Sequence, residues 1–278
     1  MISCPSVEKK VIRNHYNLTT FFYWLLWGKH IHHGLWKGTE SCRAAQLNLT
    51  ETLAKLGQVQ TESRILDVGC GMGGSSIHLA RKFHCDVTGV TISPVQRRWA
   101  TTSALFAGTS RKTRFICNDA EQIEFEPESF DVVWSIECTE HLFDKAAFFK
   151  KAASWLKPGG RVSICAWLAG DQVESEEDIQ QVYDVCEGFF CPSLGSSADY
   201  QSWLTDAGLE MEQTLDWTDR VDRTWEICKS RIQKTGMPWL ARMIDQDTAM
   251  FLDRFETILK AYRTGAMKYG CFIAHKPE

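Results

Sequence analysis

The chain has 278 residues, a hydrophobic fraction of 44%, a charged fraction of 24% and a formal net charge of −4. This is the composition of an ordinary globular protein. The chain contains no basic run. Its composition therefore argues against a surface that binds nucleic acid and against a surface that is constitutively bound to an anionic membrane. The most apolar stretch, Phe21 to Trp27, is far shorter than the ~20 residues of a membrane-spanning helix. We therefore expect no stable membrane insertion, and we expect no signal or transit segment.

The cysteine content indicates a reducing compartment. The chain has 11 cysteines, an odd number, and no two of them form a C-x-x-C pair, whereas a disulfide framework pairs its cysteines. We therefore expect a cytoplasmic protein. His30, His32 and His33 lack the spacing and the cysteine partners of a structural zinc site, so no metal is expected.

Helices are predicted first, and strands then alternate with helices. A helix that includes Phe21–Trp27 precedes another over Ser41–Gly57. The predicted strands are Ile65–Val68, Val87–Thr91, Arg114–Asn118, Phe130–Ser135 and Arg161–Trp167, and the helices between them are Ser75–Phe83, one that begins at Ser93, and Ala146–Leu156, which Pro158-Gly159-Gly160 closes. Ser93, Pro94 and Gln96 predict a capping box for the helix that begins there. Such alternation predicts a parallel, doubly wound α/β sheet with its ligand at the carboxyl ends of the strands.

The alternation ends after the fifth predicted strand. The elements that follow are an acidic helix over Asp171–Phe190, a helix over Ser197–Ala207, a strand over Glu210–Leu215, a long helical stretch over Thr224–Arg263 and a final strand over Lys268–His275. A late hairpin-like pair with a helical insertion suits a lid over a site. We expect one domain, 1–278, with a helical cap (1–60), a cofactor-binding core (61–167) and a substrate side (168–278).

The most informative motif is ILDVGCGMGG at residues 65–74. It predicts a buried strand, an acid, a glycine-rich turn through which a backbone can approach a ligand, and a helix N-terminus with free N–H groups. The spacing at 69–74 also fits the dinucleotide fingerprint G-x-G-x-x-G. Asp67, however, stands where that fingerprint has an apolar residue, and Thr91 stands where it has a carboxylate. These two residues favour S-adenosylmethionine over NAD; a turn that serves only packing is the alternative.

Polar residues follow the third and fourth predicted strands. Asp119 could accept a hydrogen bond from an adenine amino group, or it could merely cap the next turn. Glu137, Glu140 and His141 stand where a reacting group would meet the methyl group of the cofactor. His141 is the candidate base because an unperturbed imidazole has a pKa near ~6.5. A structural histidine is the alternative, and the two glutamates are expected to orient the cofactor or His141.

Several motifs together are similar to those of class I methyltransferases of the gamma-tocopherol methyltransferase-like group, relatives of cyclopropane fatty acid synthases and sarcosine/dimethylglycine methyltransferases. They are WGKHIHHG at 27–34, the glycine motif, VTGVTISPVQ at 87–96, WSIE at 134–137 with EH at 140–141, SADY at 197–200 and DW at 216–217. The resemblance implies a seven-stranded sheet whose last strand is antiparallel, and a threonine at the ribose position is usual in this group. Cys138 and Thr139 replace the small Ser-Gly pair expected on the substrate side, so tocopherol itself is not assigned as the acceptor.

The residues and the resemblance together give a set of expected site residues. His141 and Glu140 are assigned to catalysis. The expected cofactor-binding residues are Tyr16, His33, Gly34, Asp67, Gly69, Cys70, Gly71, Thr91, Ile92, Gln96, Asp119, Ala120, Ser135 and Glu137. In this set Tyr16 would contact the sulfonium through its ring face, and the segment with His33 and Gly34 would close over the methionine end.

The predicted function is methyl transfer from S-adenosyl-L-methionine to carbon, nitrogen or oxygen of a hydrophobic or aromatic small molecule. The alternatives are a cyclopropane-type lipid-modifying enzyme, a nicotinamide oxidoreductase and a fold that retains the cofactor without methylating. A lipid-modifying enzyme should have a basic membrane-facing patch, against which the acidic segment Glu174–Asp178 argues. The expected partner is a small-molecule substrate, not nucleic acid, and the sequence leaves the oligomeric state open.

Overall fold

The computed structural model describes residues 1–235 and 254–278. The helices are α1 (Lys9–Trp27), α2 (Cys42–Leu56), α3 (Gly74–Lys82), α4 (Pro94–Phe106), α5 (Lys145–Trp155), α6 (Glu176–Gly188), α7 (Ser197–Asp206), α8 (Thr218–Val221), α9 (Arg223–Thr235) and α10 (Phe255–Thr264). The strands are β1 (Ile2–Ser3), β2 (Arg64–Val68), β3 (Asp86–Thr91), β4 (Thr113–Cys117), β5 (Phe130–Ile136), β6 (Leu156–Ala169), β7 (Ser193–Leu194), β8 (Glu210–Asp216) and β9 (Met267–His275). Within these ranges no helix is both long enough and apolar enough to cross a membrane.

Seven strands form the central sheet in the order β4-β3-β2-β5-β6-β9-β8. The strands β2 to β6 pair in parallel, and β9 lies antiparallel between β6 and β8. This confirms the predicted seven-stranded α/β sheet with an antiparallel last strand. The chain order reverses direction between β2 and β5, so a crevice opens beyond the carboxyl ends of these two neighbours.

The burial of each strand follows its position in the sheet. Ile65 and Leu66 of β2 and Val133 of β5 are buried, because these strands have neighbours on both sides and apolar layers on both faces. The edge strand β8 alternates exposed and half-buried residues. One face of the sheet packs against α5 and α7, and the other packs against α1, α2, α3, α6 and α10. These two layers of helices leave the carboxyl ends of the strands as the place for a ligand.

Several predicted boundaries differ from the structure. The strand predicted from Arg161 begins at Leu156, because residues 158–160 form an irregularity within β6 opposite Phe130 and Val132 rather than a turn before it. The acidic helix begins at Glu176 instead of Asp171, since the Ser175 hydroxyl accepts a hydrogen bond from the Asp178 amide and caps it there.

Other differences concern elements outside the core. The first helix begins at Lys9, well before the apolar segment that predicted it. The short antiparallel pair of β1 and β7 was not predicted, because two-residue strands carry no periodicity. The predicted helix over Thr224–Arg263 is observed as α9 and α10, and residues 236–253 of that prediction lie outside the described residues.

Candidate active site

The glycine turn between β2 and α3 brings backbone, without side chains, to the carboxyl end of the sheet. The amides of Gly69 and Cys70 both donate to the Val90 carbonyl at 2.9 Å. Gly69 has a φ of 79°, and a Cβ there would overlap Cys138 on the loop after β5. Glycine is therefore required at this position both by backbone conformation and by the close approach of the next loop.

A cavity, here called the cofactor cavity, lies next to this turn under α1. The residues that line it are Lys9, Ile12, Tyr16, Ile31, Gly69, Gly71, Val90, Thr91, Ile92, Gln96, Asn118, Asp119, Ala120, Ile136, Glu137, Cys138, His141 and Leu142. They come from the ends of the four strands β2 to β5 and from the N-terminal cap. The structure thus brings most of the predicted cofactor-binding residues to one cavity.

A second cavity, here called the aromatic cavity, adjoins the first. It is lined by Tyr16, Tyr23, Trp27, Ile31, His32, His33, Glu137, Glu140, His141, Trp167, Phe189, Cys191 and Trp225. Tyr16, Ile31, Glu137 and His141 line both cavities. A group that passes between the two cavities would therefore move past Tyr16, Glu137 and His141.

Some predicted residues lie elsewhere. His33 and Glu140 line only the aromatic cavity. Gly34, Asp67, Cys70 and Ser135 are not among the described residues that line either cavity, and direct contact of these four residues with the cofactor stays a prediction. Each of these four residues has another partner or is buried. The Gly34 amide donates to Thr224 Oγ1 at 3.0 Å, and the Ser135 hydroxyl donates to the Val68 carbonyl at 3.1 Å. Asp67 Oδ2 accepts from the Ser76 hydroxyl at 2.5 Å, and Cys70 is buried in the turn.

Thr91 and Gln96 form a buried pair in the cofactor cavity. Thr91 Oγ1 donates to Gln96 Oε1 at 2.9 Å, and it accepts a hydrogen bond from the Ser93 amide at 3.3 Å. The backbone amide of Gln96 donates to the Ser93 hydroxyl at 3.1 Å, but the Gln96 side chain does not hydrogen-bond the Ser93 backbone amide. Only half of the predicted capping box forms, because the side chain bonds Thr91 instead. Gln96 Nε2 is buried and has no partner within the described part of the chain, so a hydrogen-bond donor remains available for a ligand.

Lys9 was not predicted as a site residue. Its ammonium group lies 2.7 Å from Asp119 Oδ2 and also pairs with Glu121. Burial lowers the pKa of Lys9, but the hydrogen bonds and charges of the two carboxylates outweigh burial and raise this pKa above its ordinary value. Asp119 Oδ1 accepts from the Glu121 amide at 3.0 Å, and a carboxylate with two such bonds still has lone pairs for an adenine amino group. No local sequence pattern connects position 9 with position 119.

His141 is held between Tyr16 and the backbone. Its Nδ1 lies 3.0 Å from the Phe190 carbonyl, and its Nε2 lies 2.9 Å from the Tyr16 hydroxyl. Since a carbonyl only accepts, Nδ1 carries the hydrogen, and Tyr16 donates to Nε2. Burial lowers the pKa of His141 to about 4, so the assumption of an ordinary imidazole pKa is wrong. Neither Glu137 nor Glu140 is its hydrogen-bond partner, so the expectation that they orient His141 is wrong, whereas the expectation that they orient the cofactor stays a prediction.

Glu137 and Glu140 both line the aromatic cavity, but their carboxyl groups differ in protonation. Glu137 Oε1 accepts from the His33 amide at 2.8 Å and from the Tyr269 hydroxyl at 2.7 Å, and it lies 2.9 Å from His33 Nδ1. Burial alone would raise the pKa of Glu137, but the charge and hydrogen bonds of His33 lower it below its ordinary value. Burial raises the pKa of Glu140 to about 8. Near neutral pH Glu137 is therefore ionised and Glu140 is protonated.

The Glu140 carboxyl has one satisfied and one available oxygen. Oε1 accepts from the Trp167 amide at 2.5 Å. Apart from Glu140 itself, no group in the described ranges hydrogen-bonds Oε2, although this atom is buried. Because Glu140 lines the aromatic cavity, its second oxygen can serve a molecule bound there.

Comparison with known proteins assigns the family. A family model described as a methyltransferase domain matches residues 42–214. The chain belongs to this methyltransferase family. It is 31% identical to the chloroplastic tocopherol O-methyltransferase of Arabidopsis thaliana, over 97% of this chain and 82% of that protein. It is 30% identical to the 27-O-demethylrifamycin SV methyltransferase of Amycolatopsis mediterranei, over 91% of this chain and 92% of that protein.

A solved structure gives the same assignment. A protein of Galdieria sulphuraria assigned as a sarcosine dimethylglycine methyltransferase superposes with a TM-score of 0.82 at 25% identity, over 93% of this chain and 98% of that one. The chain is thus an S-adenosyl-L-methionine-dependent methyltransferase, as predicted. The side-chain-free turn at Gly69 and the available amide of Gln96 fit this cofactor.

We expect the stability of the Glu140→Gln variant to depend on pH differently from that of the wild type. The folded protein keeps the Glu140 proton to about pH 8, whereas the unfolded chain loses it near ~4.3. Between these values the folded state binds more protons, so the wild type loses stability as the pH rises. The melting temperature of Glu140→Gln minus that of the wild type should therefore increase from about pH 5 to about pH 8. Glu176→Gln, at an exposed position of α6, is the control; an equal difference at every pH would contradict the assignment.

We expect Lys9→Met to weaken cofactor binding, because Lys9 fixes the start of α1 against the cavity wall that carries Asp119. The dissociation constant of S-adenosylhomocysteine, measured by calorimetry, should rise about 2- to 5-fold, the scale of a partly exposed ion pair. The neighbouring Lys10 is exposed and Lys10→Met should leave the constant unchanged. If the two variants bind alike, Lys9 does not position α1.

Proposed function

We propose that this enzyme transfers the methyl group of S-adenosyl-L-methionine to the nitrogen of a hydrophobic amine held in the aromatic cavity. The observation that carries this proposal is the combination of ring faces and two buried carboxyl groups in that cavity, with no lysine or arginine among its described lining residues. The sequence analysis left carbon, nitrogen and oxygen open as acceptor atoms.

The cofactor cavity would hold the cofactor through the predicted residues that line it. The backbone at Gly69 and Gly71 leaves room for close approach, and Gln96 and Asp119 offer a donor and an acceptor for the nucleoside. When bound, the cofactor supplies an electrophilic methyl group on a sulfonium. Tyr16 lines both cavities and would face the transferred group.

The division of labour along the chain supports treating it as one domain. The cap, 1–60, contributes Tyr16, Tyr23 and Trp27 to the aromatic cavity, and the substrate side, 168–278, contributes Phe189 and Trp225. The core, 61–167, contributes the glycine turn and the strand ends. We propose that the three segments act together, with the cap closing both cavities against water.

The walls of the aromatic cavity suit a flat apolar acceptor. The rings of Trp167, Phe189 and Trp225 pack edge to face, with centroids 5.2 to 5.7 Å apart. Trp27 adds a further ring next to Trp225, at a centroid distance of 5.8 Å. Ring faces of this kind attract a cation as well as burying apolar surface.

The charges of the cavity favour an amine over a phenol. Glu137 is ionised, and Glu140 becomes a second carboxylate if a cation binds beside it. A phenolate would meet the Glu137 charge with no lysine or arginine in the described lining of the cavity to offset it. The nearby Lys145 is turned away, since its ammonium donates to the Leu142 carbonyl and the Ser193 hydroxyl, each at 2.8 Å. A nitrogen acceptor becomes positively charged as it is methylated, which this environment stabilises.

Tyr16 and His141 would together accept the proton that the acceptor nitrogen loses on methylation. Because the Tyr16 hydrogen points to His141 Nε2, the phenolic oxygen presents lone pairs to the cavities and can accept a hydrogen bond from the acceptor. His141 would take the proton through Tyr16, which keeps the predicted base role but moves the contact with substrate to Tyr16. Glu140 would hold the amine in place through Oε2.

We expect Tyr16→Phe and His141→Ala each to lower turnover by about 10²- to 10⁴-fold, the range of general base catalysis. Binding of S-adenosylhomocysteine should stay within a few-fold of the wild type. Since the two residues act as one unit, the double variant should be no slower than the slower single variant. Additive losses, or more than a tenth of wild-type turnover in either single variant, would contradict the proton path.

We expect labelled S-adenosylmethionine to methylate secondary ring-bearing amines, whose N–H proton leaves once the new N–CH3 bond has formed, and not phenols of the same ring skeleton. The products are identified by mass spectrometry, and binding of the cofactor is checked separately by calorimetry. Glu140→Gln should lower kcat/KM for an accepted amine by about 10-fold or more, because a buried charge partner is lost. Methylation of phenols alone would overturn the nitrogen assignment, without affecting the assignment to the methyltransferase family.

We also propose a reducing compartment, such as the cytoplasm, for this enzyme. All 11 cysteines are free thiols in the structure, eight of them buried. Titration of thiols in denatured protein that was alkylated on cell lysis should detect no disulfide.

A further inference from the structure

The outer surfaces of α1 and α4 carry a concentration of exposed apolar side chains. Leu18, Phe21, Trp24 and Leu25 of α1 are 56%, 53%, 41% and 55% exposed. Leu105 and Phe106 of α4 are 65% and 87% exposed. Elsewhere in the described ranges, the large apolar side chains with comparable exposure are Met1, Phe143 and Ile179, which are scattered. We call the surface formed by these six residues of α1 and α4 the α1/α4 face. A concentration of exposed apolar side chains on two adjacent helices is typical of an interaction site.

The two helices form one continuous surface. Ser93, at the start of α4, donates to Asn17 of α1 at 2.7 Å. Further along, the rings of Trp24 and Trp99 lie 5.9 Å apart. The helices therefore run side by side in the same direction. The positions of Leu18, Phe21 and Leu25 recur at intervals of three and four residues and so lie on one side of α1.

The other side of α1 belongs to the active site. Ile12, Tyr16 and Tyr23 line the two cavities or pack in the core. The exposed stripe lies about half a turn away from them around the helix. The α1/α4 face is therefore the outer surface of the element that covers the cofactor and aromatic cavities.

The α1/α4 face has a distinctive charge. Neither α1 nor α4 contains an aspartate or a glutamate, although the chain as a whole carries a net charge of −4. Lys10, Arg13 and Arg98 are exposed along the two helices. The basic residues are spread through two helices that are separated by residues 28–93 of the chain, so they form no basic run. The net charge therefore concealed a local basic surface.

A basic groove continues this surface at the C-terminal ends of the two helices. Lys29, Arg43 and Arg81 line it, together with His30 and His78, and no carboxylate is among its described lining residues. Trp99, Ser103 and Ala107 of the α4 segment also line it, so it is continuous with the α1/α4 face. Its three cations could neutralise phosphate groups that lie at the edge of the apolar patch.

We propose that the α1/α4 face docks on the surface of a lipid bilayer that contains anionic phospholipid, with lipid phosphates in the basic groove. A helix that lies in a membrane interface is typically rich in phenylalanine, leucine and tryptophan on one side and in lysine and arginine beside them. The α1/α4 face has this composition and contains no acidic residue. The negative surface potential of such a bilayer attracts the basic residues. A second copy of the chain fits less well, because a symmetric contact would bring two basic faces together. Docking lies beyond methyl transfer and does not depend on the nature of the acceptor.

The test is co-sedimentation of the full chain with vesicles, without cofactor or acceptor. The protein should sediment with phosphatidylcholine vesicles that contain phosphatidylserine, and less with phosphatidylcholine alone or at high salt. The double variant Phe21→Ser, Leu25→Ser should lower the partition coefficient about 10-fold or more, because buried apolar area drives interfacial binding. Ile179→Ser, which changes an apolar residue with 41% exposure on α6, should bind as the wild type does.

Charge is tested with Arg98→Glu, which should weaken binding to the anionic vesicles, against Lys150→Glu on α5, which should not. The substituted side chains are exposed, so circular dichroism and melting temperature should match the wild type. Sedimentation of none of the proteins, or equal loss in the paired variants, would overturn the proposal. A concentration-dependent dimer that the double variant abolishes would assign the face to a second copy instead.

Discussion

The carboxylate of Glu137 is the point on which the arrangement of the site depends. Glu137 directly follows β5 and has a backbone φ of 53°, a conformation that costs free energy for a residue other than glycine. From there it binds the His33 amide in the cap and the Tyr269 hydroxyl on β9. One side chain thus connects the parallel part of the sheet, its antiparallel last strands and the N-terminal segment. The two cavities meet at this residue.

The first helix depends on a second set of long-range bonds. Lys9, Tyr16 and Asn17 hold it to the strand-end loops through Asp119, His141 and Ser93, respectively. These bonds lie along the side of the helix that covers the cofactor cavity. The other side faces outward with exposed apolar residues. The same helix therefore closes the active site and forms the surface that we propose for membrane docking.

The parts that the sequence predicted are those governed by local patterns. The glycine turn, the five parallel strands and the polar ends of β4 and β5 follow from apolar runs and turn residues, and so the cofactor cavity was largely predictable. The partners of Lys9 and His141 were not, because position 9 is 110 residues from Asp119 and the group that fixes the His141 tautomer is a backbone carbonyl. The low pKa of His141 results from tertiary burial, which a single sequence does not display. Sequence reasoning also did not predict that Ser135 and Gly34 lie outside the lining of both cavities, because a motif indicates that a residue is near a site but does not give its contacts.

The protonated state of Glu140 has a consequence for the resting enzyme. An empty cavity with two ionised glutamates would concentrate like charges where water is scarce. Here one carboxyl stays neutral until something positive arrives, so the interior charge is adjusted to the occupant. Each cationic guest that settles beside Glu140 would displace a hydrogen ion to the solvent. Binding of a cation in the aromatic cavity would thus be coupled to the release of one proton. The affinity of the cavity for such a cation would rise with pH for as long as the bound molecule itself stays charged.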